Sequence, residues 1–161
     1  MTDTSPPSHD QLNQFFAELG RCLYLYQQIE YSLKIVLPHM APAAIATEGA
    51  KDELLNWNDL LDSKTTLGQL VKLLRERIES DNKVLLEESW RQLVEHRNEL
   101  VHLVLAQPFG HLRNQQEVAE AMQFLKGRLQ FAVAMLEIVK QFMAVLIDIL
   151  DDSITDESPS H

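Results

Sequence analysis

The stretch Gln115–Leu150 reads QQEVAEAMQFLKGRLQFAVAMLEIVKQFMAVLIDIL, and its apolar spacing decides the fold class. Val118, Met122, Leu125, Leu129, Ala132, Leu136, Val139, Met143, Leu146 and Leu150 recur at steps of three and four, the repeat of one helix face. A second seam, Ala121, Phe124, Phe131, Met135, Ile138, Phe142, Val145 and Ile149, runs beside it and is broken only by Arg128. Two adjacent seams make a helix apolar over a wide arc. Such a helix either lies at the centre of its own bundle or lends one seam to a second copy of the chain in a symmetric dimer. At about 1.5 Å per residue the stretch spans roughly 50 Å, more than a small bundle needs to cover its core.

Upstream, the same repeat continues. Leu12, Phe15, Leu19, Cys22, Tyr26, Ile29, Leu33 and Val36 form one seam of a helix from Asp10, its expected N-cap, to Leu37, with Pro38 as the stop. A second helix is predicted from Ser63–Thr66 to Glu79, with Leu67, Leu70, Val71 and Leu74 inward. A third, capped by Asp81 or Asn82, runs to Ala106 before Pro108 and Gly110. Residues 38–62 read as a connection with a short helix, tucked in by Leu54, Leu55, Trp57, Leu60 and Leu61. The expected fold is all-α: an antiparallel up-down bundle of four main helices plus a short connecting helix, over residues 10–150. Residues 1–9 and the acidic stretch 151–161 are expected to be disordered tails.

A chain of 161 residues suits one domain with a single core, and its 5 glycines suit helices rather than turns. The lone cysteine, Cys22, has no partner for an internal disulfide and reads as a small buried residue in a reducing compartment. The N-terminal MTDTSPPSH lacks the basic-then-apolar pattern of a signal peptide. The run Phe142–Leu150, flanked by Lys140 and interrupted by Asp148, falls short of the roughly 20 residues a membrane span needs. A cytoplasmic protein without membrane contact is therefore expected. The net charge of −10 argues against broad electrostatic capture of nucleic acid and leaves room only for a small local basic site.

Such a site is offered by SWRQLVEHRNELVHLVL, Ser89–Leu105. On a helical wheel, Leu86, Trp90, Leu93, Leu100, Val101 and Val104 fall within about 60° of Arg97, which places Arg97 inside the apolar arc. A guanidinium there is costly unless it is used or paired with a carboxylate, for which Glu30 of the first helix is available. Asn98 and His102 share a face at the edge of that arc, about 100° and 140° from Arg97. Arg91 and His96 have a similar spacing but fall on opposite polar flanks and read as solvated, as do His9, His39, His111 and His161 in predicted loops and tails. Glu99-x-x-His102 is half of a di-iron pattern with no second Glu-x-x-His. With no Gly-rich phosphate loop, zinc-like Cys/His spacing or nucleophile elbow, no metal or cofactor is expected.

RNELVH, Arg97–His102, resembles the Arg-x4–6-His signature of HEPN domains, and the first-helix text YQQIEYSLKIVL, Tyr26–Leu37, is similar to that family as well. HEPN domains are helical bundles that often act as metal-independent endoribonucleases in toxin–antitoxin and defence systems. The resemblance implies a ribonuclease with catalytic Arg97, Asn98 and His102, assembled as a homodimer whose two motifs meet in a shared cleft. It further implies RNA as substrate and an antitoxin protein as partner. Some members carry His-x-Tyr, whose Tyr is modified by the antitoxin; this chain has Val104 at that position. The alternative from the residues alone is a non-catalytic dimerisation module that binds a partner protein or a nucleotide, with Arg97 in a structural ion pair.

Overall fold

Side chains that satisfy the free N–H groups of a first turn decide where these helices begin. The computed structural model describes residues 5–40, 64–77 and 83–156. Helix α1, His9–Val36, opens on a capping box: Ser8 Oγ accepts from the Gln11 N–H (3.2 Å), and Gln11 Oε1 accepts from the Ser8 N–H (2.8 Å). The cap is thus Ser8 and not Asp10, which lies in the first turn where its charge suits the positive helix end. Around Pro38 the helix tightens into a 3-10 turn, Leu37–His39. Helix α2, Leu67–Arg77, follows a similar exchange between Thr66 and Gln69. Helix α3 is Lys83–Asn98. Helix α4, Gln115–Asp156, begins where Asn114 Oδ1 accepts from the Glu117 N–H (2.9 Å).

The short connecting helix expected within 38–62 falls mostly, and the caps at Asp81 and Asn82 wholly, outside the described residues. Two tail boundaries move. Helix α4 continues to Asp156, into the stretch expected to be disordered. Ser5–Ser8 are held rather than loose, since the Ser5 carbonyl accepts from the Gln115 N–H (3.0 Å), an unpaired donor of the α4 N-terminus, and Ser8 caps α1.

The described residues form four α-helices and no strand, with the long α1 and α4 packed against each other. The Cys22 thiol donates to the Leu125 carbonyl (3.6 Å) and the Tyr26 hydroxyl to the Arg128 carbonyl (3.4 Å). With Ser5 on Gln115, these contacts advance together along both helices, so α1 and α4 run parallel. The antiparallel arrangement holds where connections are short: Arg75 pairs with Glu87 between α2 and α3, and His96 meets Phe131 between α3 and α4. The link from α1 to α2, residues 40–66, is too long to impose a reversal between them.

Both seams of α4 are used inside the protomer. Val118, Leu125, Ala132 and Val139 of the first and Ala121 and Met135 of the second are buried, so both seams contribute to the chain's own core. Val139 is its last buried residue among those described; beyond it Phe142, Met143 and Leu146 are half-buried and Val145 and Ile147 exposed. With 42 residues against the 28 of α1, α4 is longer by about 20 Å and runs past the α1 end. By length and composition, Gln115–Asp148 is also apolar enough to cross a membrane, more than the run Phe142–Leu150 alone suggests. Of its most apolar window, 22% is buried inside the fold.

After α3 the chain turns through Gln107–Asn114, where the Gly110 N–H donates to the Gln107 carbonyl (2.8 Å). A Cβ on Gly110 would stand 2.5 Å from the Leu105 carbonyl oxygen and 2.7 Å from that of Val104. Because these are backbone atoms, Gly110→Ala is expected to cost about 1–3 kcal/mol, read as a lower urea midpoint. Gly20→Ala in α1, where nothing lies within 4 Å, is expected to gain about 0.5–1 kcal/mol and serves as the control.

Candidate functional site

Helix α3 does not run straight to Ala106. Regular α geometry stops at Asn98, a π turn follows over Glu99–Leu103, and a 3-10 turn over Val104–Ala106. A π turn bonds residue i to i+5 and so holds one residue more than an α turn. Each residue rotates less about the axis, and positions beyond Glu99 fall behind the α-helical wheel. Val101, expected in the apolar arc, is accordingly 44% exposed, while Leu100 is buried. Leu103, at φ −119° and ψ 5°, marks the change into the 3-10 turn. Beyond it, Phe109 folds back onto α4, its ring 5.3 Å from that of Phe124.

The wheel is right about the start of the segment. Trp90, Leu93 and Leu100 are buried, and Arg97 among them is half-buried. Among the described residues Arg97 has no ion-pair or hydrogen-bond partner; Glu30 does not pair with it. Asn98, the last residue of α3, and His102, inside the wide turn, are both exposed. One continuous segment therefore carries a half-buried guanidinium with no carboxylate partner among the described residues, an exposed amide and an exposed imidazole. Exposed Val101, Leu103 and Leu105 flank the imidazole. An arginine left without a counter-charge is available to an anionic ligand, and a solvated imidazole to proton transfer.

A second polar group lies beside this segment and escapes the sequence reading. Arg128 Nε donates to Glu99 Oε2 at 2.9 Å, Nη2 forms an ion pair with the same oxygen at 2.7 Å, and the Arg128 guanidinium lies over the Phe124 ring, 4.5 Å from its centroid. Arg91 is solvated as expected and pairs with Glu88 and Glu95 on its own helix. His96 is not solvated. It is half-buried, its ring meets Phe131 edge-on at 4.7 Å, and its Nδ1 is buried without a hydrogen-bond partner among the described residues. The flank that the wheel makes polar is the one that α4 covers. Two signals point there: His96 and Glu99 share a face at i,i+3, and Arg128 is the one cation interrupting an apolar seam of α4.

Burial holds the His96 imidazole below its ordinary value of 6.5, and the nearby Arg128 charge adds to this against the opposing pull of Glu99 and Glu95. The unfolded chain therefore takes up this proton more readily than the folded one. The contribution of a neutral His96 is complete above about pH 6.5 and declines as the pH falls below it. The urea midpoint of the wild type is expected to drop between about pH 7.5 and about pH 5.5, a window above most carboxylate titrations, and His96→Phe is expected to reduce that drop. Equal drops in both proteins would show that His96 titrates alike in the folded and unfolded chain.

A cavity of about 500 Å³ between α1 and α4 is lined by Glu18, Arg21, Met122, Lys126 and Leu129 among others, on the side of α4 away from Arg128, and it includes none of these site residues. No family model, curated protein or solved structure matches the chain.

Proposed function

We propose that this chain is a metal-independent endoribonuclease of the HEPN type, working as a homodimer, with Arg97, Asn98 and His102 as its catalytic residues. The observation that carries the reading is the π turn inside the motif. Irregular turns of this kind within helices are frequent at functional sites, and here the turn spans Glu99–Leu103, immediately after Arg97-Asn98 and around His102. A residue five positions on in such a turn comes roughly to where the fourth would stand in an α-helix, which draws an Arg–His pair of this spacing toward one face.

The chemistry follows from the groups. An imidazole takes the proton of the ribose 2′-hydroxyl, the 2′-oxygen attacks phosphorus, and the P–O5′ bond breaks as O5′ receives a proton. The products are a 2′,3′-cyclic phosphate and a 5′-hydroxyl, and water is not consumed. Arg97 holds the phosphate through a planar two-point contact and offsets the charge that builds on it, while Asn98 donates to a phosphate oxygen or orients the imidazole. Val101, Leu103 and Leu105, exposed beside His102, and the far end of α4 supply apolar surface for a second copy. Those same residues support a second reading, a non-catalytic dimerisation module, which the net charge of −10 also favours. An antitoxin partner belongs to the first reading and would cover the same segment.

The test is incubation of the purified protein with RNA in excess EDTA. Fragments ending in a cyclic phosphate, produced by the wild type and not by variants at Arg97 and His102, support the nuclease. Intact RNA, or equal cleavage by wild type and variants, leaves the dimerisation module.

A further inference from the structure

A glutamate stands at the first position of the wide turn, and the cation that interrupts the second seam of α4 answers it. We propose that Arg128 is a positioning residue: through Glu99 it clamps the turn Glu99–Leu103 to α4 and thereby sets where His102 stands relative to Arg97.

The turn needs such a clamp. An α-helix and a π turn differ by one residue of register, and the bonds of the π turn are not the better ones. Left alone, Glu99–Leu103 would draw in to α geometry and rotate His102 and everything after it. A contact from outside the segment must oppose that rotation, and it acts most directly where the turn starts. Glu99 is that residue. Its carboxylate accepts a charge-assisted hydrogen bond from Arg128 Nε and pairs with Nη2, and the two side chains are only 23% and 29% exposed, which limits screening by water. Arg128 is itself held from two sides. Its guanidinium rests on Phe124, and its carbonyl accepts from the Tyr26 hydroxyl of α1. Three elements thus meet at one residue: α1, α4 and the turn. Arg128 in an apolar seam is also a cost that only a partner offsets, and Glu99 is that partner. Leu100, next to Glu99, and Phe109, beyond the turn, are both buried and anchor the segment on either side of His102.

The consequence for catalysis rests on the ribonuclease reading; the clamp itself is measured without RNA. The experiment compares full-length wild type, Arg128→Gln, Glu99→Gln, the double variant and Arg128→Lys by amide hydrogen exchange and by the NMR signals of the His102 ring. Each glutamine variant is expected to speed exchange over Glu99–Val104 by about tenfold or more relative to α1 and to shift the His102 signals. The double variant should add nothing further, and Arg128→Lys, which keeps the charge, should recover most of the change. If Arg128→Gln does not fold, Glu99→Gln and Arg128→Lys make the same comparison. Unchanged His102 signals in Glu99→Gln would overturn the proposal, as would exchange that speeds equally in α1 and in the turn. A His102 response in a protein that leaves RNA intact would end the nuclease reading and keep the clamp.

Discussion

His102→Ala is expected to lower RNA cleavage in EDTA by about 10²–10⁴-fold, the usual range for removal of a group that moves a proton in the transition state. Arg97→Ala is expected to cost about 10²–10³-fold, because the charge gathering on the phosphate loses its cation. Arg97→Lys separates two roles for that cation. If a point charge is enough, lysine restores most of the rate; if the planar two-point contact matters, it restores little. The stability of the protein should hardly move in either case. His102 is exposed, and Arg97 has no partner among the described residues whose loss would leave a buried charge. Urea curves recorded beside the rates therefore tell loss of chemistry from loss of fold. Cleavage by His102→Ala within threefold of the wild type would remove the imidazole from the mechanism.

Trp90→Ala is expected to be the most damaging substitution for stability, at about 3–5 kcal/mol, the range for deleting a large buried aromatic. Trp90 is 1% exposed and among the largest fully buried side chains, packed in the core with Leu93 and Leu100. Against a total stability on the order of 5–15 kcal/mol, the variant should melt far below the wild type or fail to fold. Trp90→Phe should cost much less. The indole Nε1 is buried without a hydrogen-bond partner among the described residues, so its desolvation already opposes folding, and phenylalanine removes that donor along with the volume. Equal losses for Ala and Phe, measured by urea unfolding, would mean that the indole nitrogen does find a partner in the protein.

Hydrophobic period carried most of the fold, and local geometry marks where it stopped. The seams of α1 and α4 follow the bundle, down to buried Phe15, Cys22, Tyr26, Ile29 and Leu33 on one and Leu125, Ala132 and Val139 on the other. The two seams of α4 left open whether the second belonged to a partner; buried Ala121 and Met135 show that part of that face packs within the chain. The relative direction of α1 and α4 could not be read, because seams are blind to polarity and only short links imply a reversal. For the candidate site, the wheel placed Arg97 inside the apolar arc, where it is half-buried, but assumed even rotation through Glu99–Leu103, and so misplaced Val101. His96 was lost for another reason. A polar flank on an isolated helix is no longer polar once α4 lies on it, and which flank α4 covers depends on contacts between residues far apart in the chain.

The parallel pairing of α1 with α4 also governs the order of assembly. Cys22 meets Leu125 and Tyr26 meets Arg128 across more than 100 residues of intervening chain, and closing a loop of that length is slow compared with local pairing. On a ribosome, α1 leaves the tunnel long before the helix that will cover it, with its Phe15, Ile29 and Leu33 bare. The neighbouring α2 and α3 can dock first, since only residues 78–82 separate them in the chain. The nascent protein thus spends most of its synthesis as an unpaired amphipathic rod followed by a hairpin, and its core closes last, when α4 emerges.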